Sequence, residues 1–194
     1  MSLMKFYTRL TIKLLLLPMV FLMGVEKIYA EQICTACTIK VLFKGFYTDE
    51  TCTVSINNAG DSETVILPKI SILNLVKEGN EAGSQPFNIS LKECPVNRTV
   101  RVKFISNLYA ADINTGNLKN SVGELYSQNV QVRIRKENGA QINIDDDLSG
   151  QDYFIDASGT DVTHKFYASY YANMSSAVTP GIVKTAAGID LIYK

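Results

Sequence analysis

Apolar and polar residues alternate with a period of two in several stretches of this chain. A pleated strand sends successive side chains to opposite faces, so this period predicts strands that bury one face and expose the other. Such runs are typical of antiparallel sheets, and turn-forming Gly, Asn, Asp and Ser residues separate them here. The apolar members are Phe87, Ile89 and Leu91; Val100, Val102 and Phe104; Val130, Val132 and Ile134; and Phe166, Ala168, Tyr170 and Ala172.

Two further alternating runs lie near opposite ends of the chain. Helical periodicity is nearly absent, so the whole pattern predicts an all-β fold, an immunoglobulin-like β-sandwich. Apolar strands at both ends also favour a molecule that joins to copies of itself. The C-terminal run contains Ile189, Leu191 and Tyr193, and the other contains Ile39, Val41, Phe43, Gly45 and Tyr47.

The first thirty residues have the layout of a secretory signal peptide. Lys5, Arg9 and Lys13 give a positive start, and residues 14–25 form an apolar core. This core is too short to span a bilayer comfortably, which disfavours a membrane anchor. We therefore expect cleavage after Ala30 and export of a mature chain whose length suits one domain.

All four cysteines, Cys34, Cys37, Cys52 and Cys94, lie in the part that would be exported. An oxidising compartment makes disulfides the default, and three pairings are possible. We favour Cys52–Cys94, because each of these residues lies at the edge of a strand pattern. Cys34 and Cys37 then remain as a Cys-x-x-Cys pair in a polar leader; no helix follows, so a redox motif is disfavoured.

Other chemistry has weak support in the sequence. Residues 145–150 partly match a calcium loop, but its twelfth position is Asp156 rather than Glu and strands flank it. His164 is the only histidine and has no matching nucleophile pattern. The formal net charge is +0 with no basic stripe, so nothing favours nucleic acid. We expect no catalytic residue, no metal and no cofactor.

Several short motifs, taken in order, resemble those of chaperone–usher fimbrial subunits of the type 1 and type 3 pilin family. Their order and spacing cover nearly the whole mature chain. In this family pattern a glycine stands fourteenth from the end and a tyrosine is penultimate, as Gly181 and Tyr193 do here. The motifs are Phe43-Lys44-Gly45 followed by Cys52-Thr53-Val54, Phe87-Asn88-Ile89-Ser90-Leu91 leading into Cys94, Val130-Gln131-Val132-Arg133-Ile134, Phe166-Tyr167-Ala168-Ser169-Tyr170, and Thr179-Pro180-Gly181.

The resemblance implies an incomplete immunoglobulin-like β-sandwich that is completed by donor-strand exchange. A periplasmic chaperone would fill the open groove first, and at an outer-membrane usher the next subunit's extension would replace it. The implied division is a signal peptide (1–30), an N-terminal donor strand (31–47) and a pilin domain (48–194). Ile39, Val41, Phe43, Gly45 and Tyr47 would be the donor residues, and Gly181, Ile189, Leu191, Tyr193 and Lys194 would form the C-terminal groove and chaperone contact.

The resulting functional hypothesis is a non-enzymatic structural subunit of an extracellular fimbrium, exported through the periplasm. Its partners would be copies of itself, other pilus subunits, the chaperone and the usher, with a host receptor if the fimbrium serves adhesion. The alternative is a minor adaptor or tip subunit that binds a host ligand. Tip adhesins usually carry a separate lectin domain, for which this chain has no room.

Overall fold

The structure, a computed structural model, describes residues 51–173 and 176–194. These residues belong to one unit, which begins at Tyr47. They form nine strands and a short 3-10 helix, Ile72–Leu75, whose first turn is capped by the side chain of Ser71. The strands are β1 (Thr53–Ile56), β2 (Glu81–Lys92), β3 (Arg98–Ser106), β4 (Leu118–Lys119), β5 (Val130–Lys136), β6 (Gln141–Ile142), β7 (Gln151–Ile155), β8 (Val162–Ala172) and β9 (Ala187–Tyr193).

Two antiparallel sheets make up the fold. The larger sheet has the order β1-β2-β8-β5-β4, with β6 also paired to β5, and the smaller has the order β7-β3-β9. Five of the six predicted alternating runs lie in β2, β3, β5, β8 and β9, and the all-β prediction is confirmed. The sixth, at residues 39–47, lies outside the described residues. β2 carries a bulge between Ala82 and Gln85, where Gly83 has a positive φ and lies close against the Tyr170 ring.

The core lies between the inner faces of the two sheets. Ile89 and Leu91 of β2 and Phe166 of β8 are fully buried, as are Val100 and Val102 of β3. Each such side chain contributes roughly 1.5–3 kcal/mol on burial. Tyr153 of β7 is also fully buried, and its hydroxyl donates a hydrogen bond to the carbonyl of Ile89 at 3.0 Å. That bond ties the smaller sheet to the larger one.

A disulfide joins Cys52, just before β1, to Cys94, just after β2. Both cysteines are buried at the edge of the core, and 42 positions separate them in the sequence. The bridge therefore closes the loop that contains β1, the segment after it and β2.

The outer face of β5 differs from the simple prediction that its polar residues face water. Gln131 is buried, and Arg133 and Arg135 both bind the carboxylate of Glu81 on β2. Arg133 also lies over the Tyr171 ring at 3.8 Å from its centroid. Burial alone would raise the pKa of Glu81, but the hydrogen bonds from the two arginines lower it. A hydrogen-bonded network thus covers this face.

Candidate functional site

An apolar groove with a cavity volume of 630 Å³ lies against the core. Its floor comes from five strands of both sheets, so it opens into the seam of the sandwich. One wall is the segment that follows β1, and the other is β9 with the residues that lead into it. The floor residues are Phe87, Phe104, Leu118, Val132, Ile134 and Ala168; the walls include Ile56 and residues 62–67 on one side, and residues 183–187 and Ile189 on the other.

Three aromatic rings pack against one another at the floor of the groove. Phe87 and Phe104 line the groove, and their ring centroids lie 6.4 Å apart in an edge-to-face arrangement. Phe166 lies behind them, 5.5 Å from each. Aromatic pairs of this geometry add about 0.5–1.5 kcal/mol beyond the burial of their area. The floor is therefore apolar and well packed, suited to receiving apolar side chains.

β9 forms one wall of the groove and is an edge strand of the smaller sheet. It pairs with β3 from Val100↔Tyr193 to Ser106↔Ala187. Ile189 lines the groove, and Leu191 is half-buried against the core. Among the described residues no strand pairs with the second edge of β9.

The segment of residues 62–67 forms the opposite wall of the groove. Sequence reasoning did not predict a strand-like segment there. Val65 and Leu67 pack on the core while Ile66 between them is 78% exposed, the alternation of a strand. Within the described part of the chain, residues 61–70 make no backbone–backbone hydrogen bond. This alternating run is short and ends at Pro68, so it did not predict a strand. The apolar residues at positions 65 and 67 are the sequence pattern that indicates this wall.

The two walls together have the geometry of a sandwich with one strand missing. In an immunoglobulin-like fold the last strand pairs with the edge of the sheet that β9 occupies here. Backbone N–H and C=O groups along a buried edge need partners. A strand between β9 and residues 62–67 would supply those partners and would place alternate side chains on the aromatic floor.

Of the remaining predicted C-terminal residues, Tyr193 and Lys194 make contacts at the end of β9, and Gly181 lies elsewhere. The Tyr193 hydroxyl accepts a hydrogen bond from the N–H of Cys52 at 2.8 Å, and the N–H of Lys194 donates to the carbonyl of Thr99. These contacts fasten the end of β9 beside the disulfide. Gly181 does not line the groove; a Cβ atom there would lie 2.4 Å from the backbone nitrogen of Ser127. Gly181 is thus needed for a close backbone approach.

An ion-pair cluster also secures the end of β9. Asp152 on β7 accepts hydrogen bonds from Arg101 on β3 at 2.5 and 2.8 Å, and the Lys194 ammonium lies 3.1 Å away. The hydrogen bond from Arg101, with a smaller contribution from Lys194, lowers the pKa of Asp152 to about 2.

We expect this cluster to make stability depend on pH in the acid range. The pKa of Asp152 is lower in the folded state, so its stabilising effect is complete above about pH 4 and disappears as the pH falls toward 2. Asp152→Asn should remove this dependence and lower the free energy of unfolding at pH 7 by about 1 kcal/mol, since solvent screens a partly exposed pair. Guanidinium unfolding of purified fimbriae at pH 7 and pH 3 measures both effects. Asp190→Asn, an exposed change on β9, is the control, and equal behaviour of the two variants would contradict the assignment.

The other chemical patterns do not converge on a site. Asp145 and Asp147 bind the N–H of Ser106 and the Lys103 ammonium, respectively. Within residues 51–173 and 176–194, no three His, Cys, Asp or Glu side chains are arranged so that they could hold a metal ion. His164 is half-buried with its ring edge-on to Tyr153, and burial lowers its pKa. None of the described helices is long and apolar enough to cross a membrane.

The predicted donor residues lie outside the described residues. These are Ile39, Val41, Phe43, Gly45 and Tyr47, together with Cys34 and Cys37. Their roles stay predictions.

The fold and the groove define a class: a β-sandwich whose edge strand borders an apolar slot is built to take a strand, as assembly subunits do. The model of the family described as "Fimbrial protein" matches residues 39–194. The chain therefore belongs to the fimbrial protein family and is a structural subunit of an extracellular surface fimbria.

Individual relatives agree with this assignment. The chain is 31% identical to the major fimbrial subunit SMF-1 of Stenotrophomonas maltophilia, over 79% of this chain and 90% of that protein. It is 26% identical to the F17 fimbrial protein of Escherichia coli, over 90% and 97% of the two chains. The fold is similar to that of the P pilus rod subunit PapA, with a TM-score of 0.58 at 15% identity, covering 74% of this chain and 99% of that one.

Proposed function

We propose that this subunit polymerises by strand donation, in which residues 39–47 of one copy fill the groove of another. The observation that carries the proposal is the slot between β9 and residues 62–67, with its apolar floor. Strand addition to an open sheet edge uses main-chain hydrogen bonds for affinity and side-chain pockets for specificity. The described edge and floor are suited to both.

The proposed donor extension, residues 31–47, contains the alternation of apolar residues that a strand in the groove would need. Ile39, Val41 and Phe43 fall on one face of an extended segment, so each could enter the slot between β9 and the opposite wall. Three such side chains contribute roughly 5–9 kcal/mol before ordering costs are subtracted. Each main-chain hydrogen bond adds only about 1 kcal/mol net, so the side chains provide much of the affinity. An antiparallel orientation relative to β9 would continue the pattern of the sheet.

Before assembly, we propose, a periplasmic chaperone covers the groove, and an outer-membrane usher directs the exchange. An unpaired strand edge beside an apolar groove is prone to aggregation, so the groove must be occupied by the chaperone until assembly. The terminal carboxylate of Lys194, at the end of β9, would be bound by basic residues of the chaperone. Residues 1–30 would serve as the signal peptide and residues 31–47 as the donor extension. This role needs no catalytic group.

Multimers should be visible directly in a simple preparation. Fimbriae sheared from cells and warmed in mild detergent without boiling should give a ladder of multiples of the subunit on a gel. Donated strands dissociate slowly because every pocket and main-chain bond along the groove must be released. A single band at every temperature would contradict polymerisation by strand donation.

Gly45 provides a sharper test of the donor strand. A glycine there would fit a pocket too shallow for a side chain, so Gly45→Leu should abolish the ladder while the chaperone-bound subunit still accumulates. Gly60→Leu is the matched control, since a Cβ atom at Gly60 meets nothing within 4 Å. Gel ladders and copurification with the chaperone report the two outcomes. Loss of the chaperone-bound subunit with Gly45→Leu would show that Gly45 serves folding instead.

A further inference from the structure

Three exposed apolar residues lie on two neighbouring segments at one end of the groove. Val122, Leu125 and Ile182 are 93%, 73% and 54% exposed. The two segments that carry them are hydrogen bonded: the N–H of Ile182 donates to the carbonyl of Leu125, and the N–H of Ser127 donates to the carbonyl of Ile182, both at 2.9 Å. Single exposed apolar residues are normal, but a group of them on paired segments is typical of an interaction site. We call these three residues the apolar patch.

The apolar patch is continuous with the groove wall. Val183 and Lys184 line the groove, next to Ile182, and Val183 packs on the core. The N–H of Ser121, beside Val122, donates to the carbonyl of Lys184 at 3.0 Å. The patch therefore lies at the Ala187 end of β9, with the disulfide and Tyr193 at the other end of the strand, about 20 Å away.

The direction of the donated strand places the folded domain of the copy that donates it at the Ala187 end of β9, the end where the apolar patch lies. If residues 39–47 are donated antiparallel to β9, their C-terminal residue, Tyr47, lies near Ala187. From Tyr47 to the first residue of β1, Thr53, the chain is six residues long and spans at most about 20 Å. The folded domain that follows the donated strand must then begin close to the apolar patch.

The start of that domain carries an exposed apolar residue of its own. Val96 follows Cys94 of the disulfide, lies on the connection between β2 and β3, and is 48% exposed. The end of the domain that holds Cys52, Cys94 and the last residues of β9 is here called the N-terminal pole.

We propose that the apolar patch is a docking surface for the N-terminal pole of the next copy of this chain, with Val96 of that copy against Leu125. The inference rests on the proposed strand donation. The two surfaces differ, so the contact is head-to-tail, the type of contact from which open filaments are built. It adds a contact between the domains to the one made by the donated strand.

A charge-exchange series on the full-length chain tests the contact. Leu125→Lys should leave the ladder in place, because the groove and the leader are unchanged. Its multimers should dissociate about tenfold faster on warming, since a buried leucine is replaced by a desolvated charge. Leu148→Lys is the matched control: Leu148 is 84% exposed and lies near the side chains of β3, away from the patch. The double variant Leu125→Lys with Val96→Glu pairs opposite charges across the contact and should restore most of the lost lifetime.

Each outcome of the series has a definite meaning. Equal lifetimes for the Leu125→Lys and Leu148→Lys multimers would overturn the docking surface. A double variant that dissociates faster than Leu125→Lys alone would overturn the pairing with Val96. Failure of strand donation itself would look different, because the unaltered chain would then give no ladder at all.

Discussion

Replacing Ile39, Val41 and Phe43 by serine should abolish the ladder of multimers. These three side chains are predicted to enter the groove, and their loss removes roughly 5–9 kcal/mol of burial, equivalent to more than a thousandfold in affinity. The subunit should still accumulate with its chaperone, because the described strands and the disulfide are formed by residues 52–193, which the variant leaves unchanged. The measurement is the same gel of warmed, sheared fimbriae, with chaperone copurification as the second readout.

The matched control uses the intervening positions of the same segment. Lys40, Leu42 and Lys44 alternate with the predicted donor residues, so a strand in this register points them away from the floor. Serine at these three positions should leave the ladder in place. The opposite result, with the ladder lost only in the control, would shift the donor register by one residue. Deleting residues 31–47 should give the same loss as the first variant, and a persistent ladder after that deletion would disprove strand donation.

Replacing Cys52 and Cys94 by serine should prevent the subunit from accumulating. The bridge spans 42 positions, and in the chain-entropy model closing such a loop stabilises the fold by about 4 kcal/mol. That is a large part of the roughly 5–15 kcal/mol by which an ordinary domain is stable. The bridge also holds the start of β1 at the Tyr193 end of β9, where the N–H of Cys52 meets the tyrosine hydroxyl.

The other two cysteines provide the control for this prediction. Cys34→Ser with Cys37→Ser changes the leader and leaves the described disulfide intact. Immunoblots of periplasmic extracts should therefore show near-normal amounts of this variant and very little of the Cys52→Ser, Cys94→Ser variant. Normal amounts of both would mean that the sandwich is stable without its bridge.

The sequence placed the charged side chains of β5 on one face but did not identify their partner. Arg133 and Arg135 fall on the same face of β5, which the alternating pattern predicts to face water. The partner is Glu81 on β2, across the intervening strand β8, and nothing near β5 in the sequence identifies it. The same holds for the wall at residues 62–67, whose position opposite β9 depends on how the sheets pack.

The sequence by itself determined the strands that carry the alternating runs, β2, β3, β5, β8 and β9, because the period of two is a local property of the pleated backbone. It also predicted that Ile189 and Leu191 face inward; in the structure Ile189 lines the groove and Leu191 packs against the core. Only the tertiary structure decided that β9 is an edge strand, that residues 62–67 face it, and that the apolar floor lies between them. These features follow from pairings between distant segments, and a local pattern carries no information about which segment will be its neighbour.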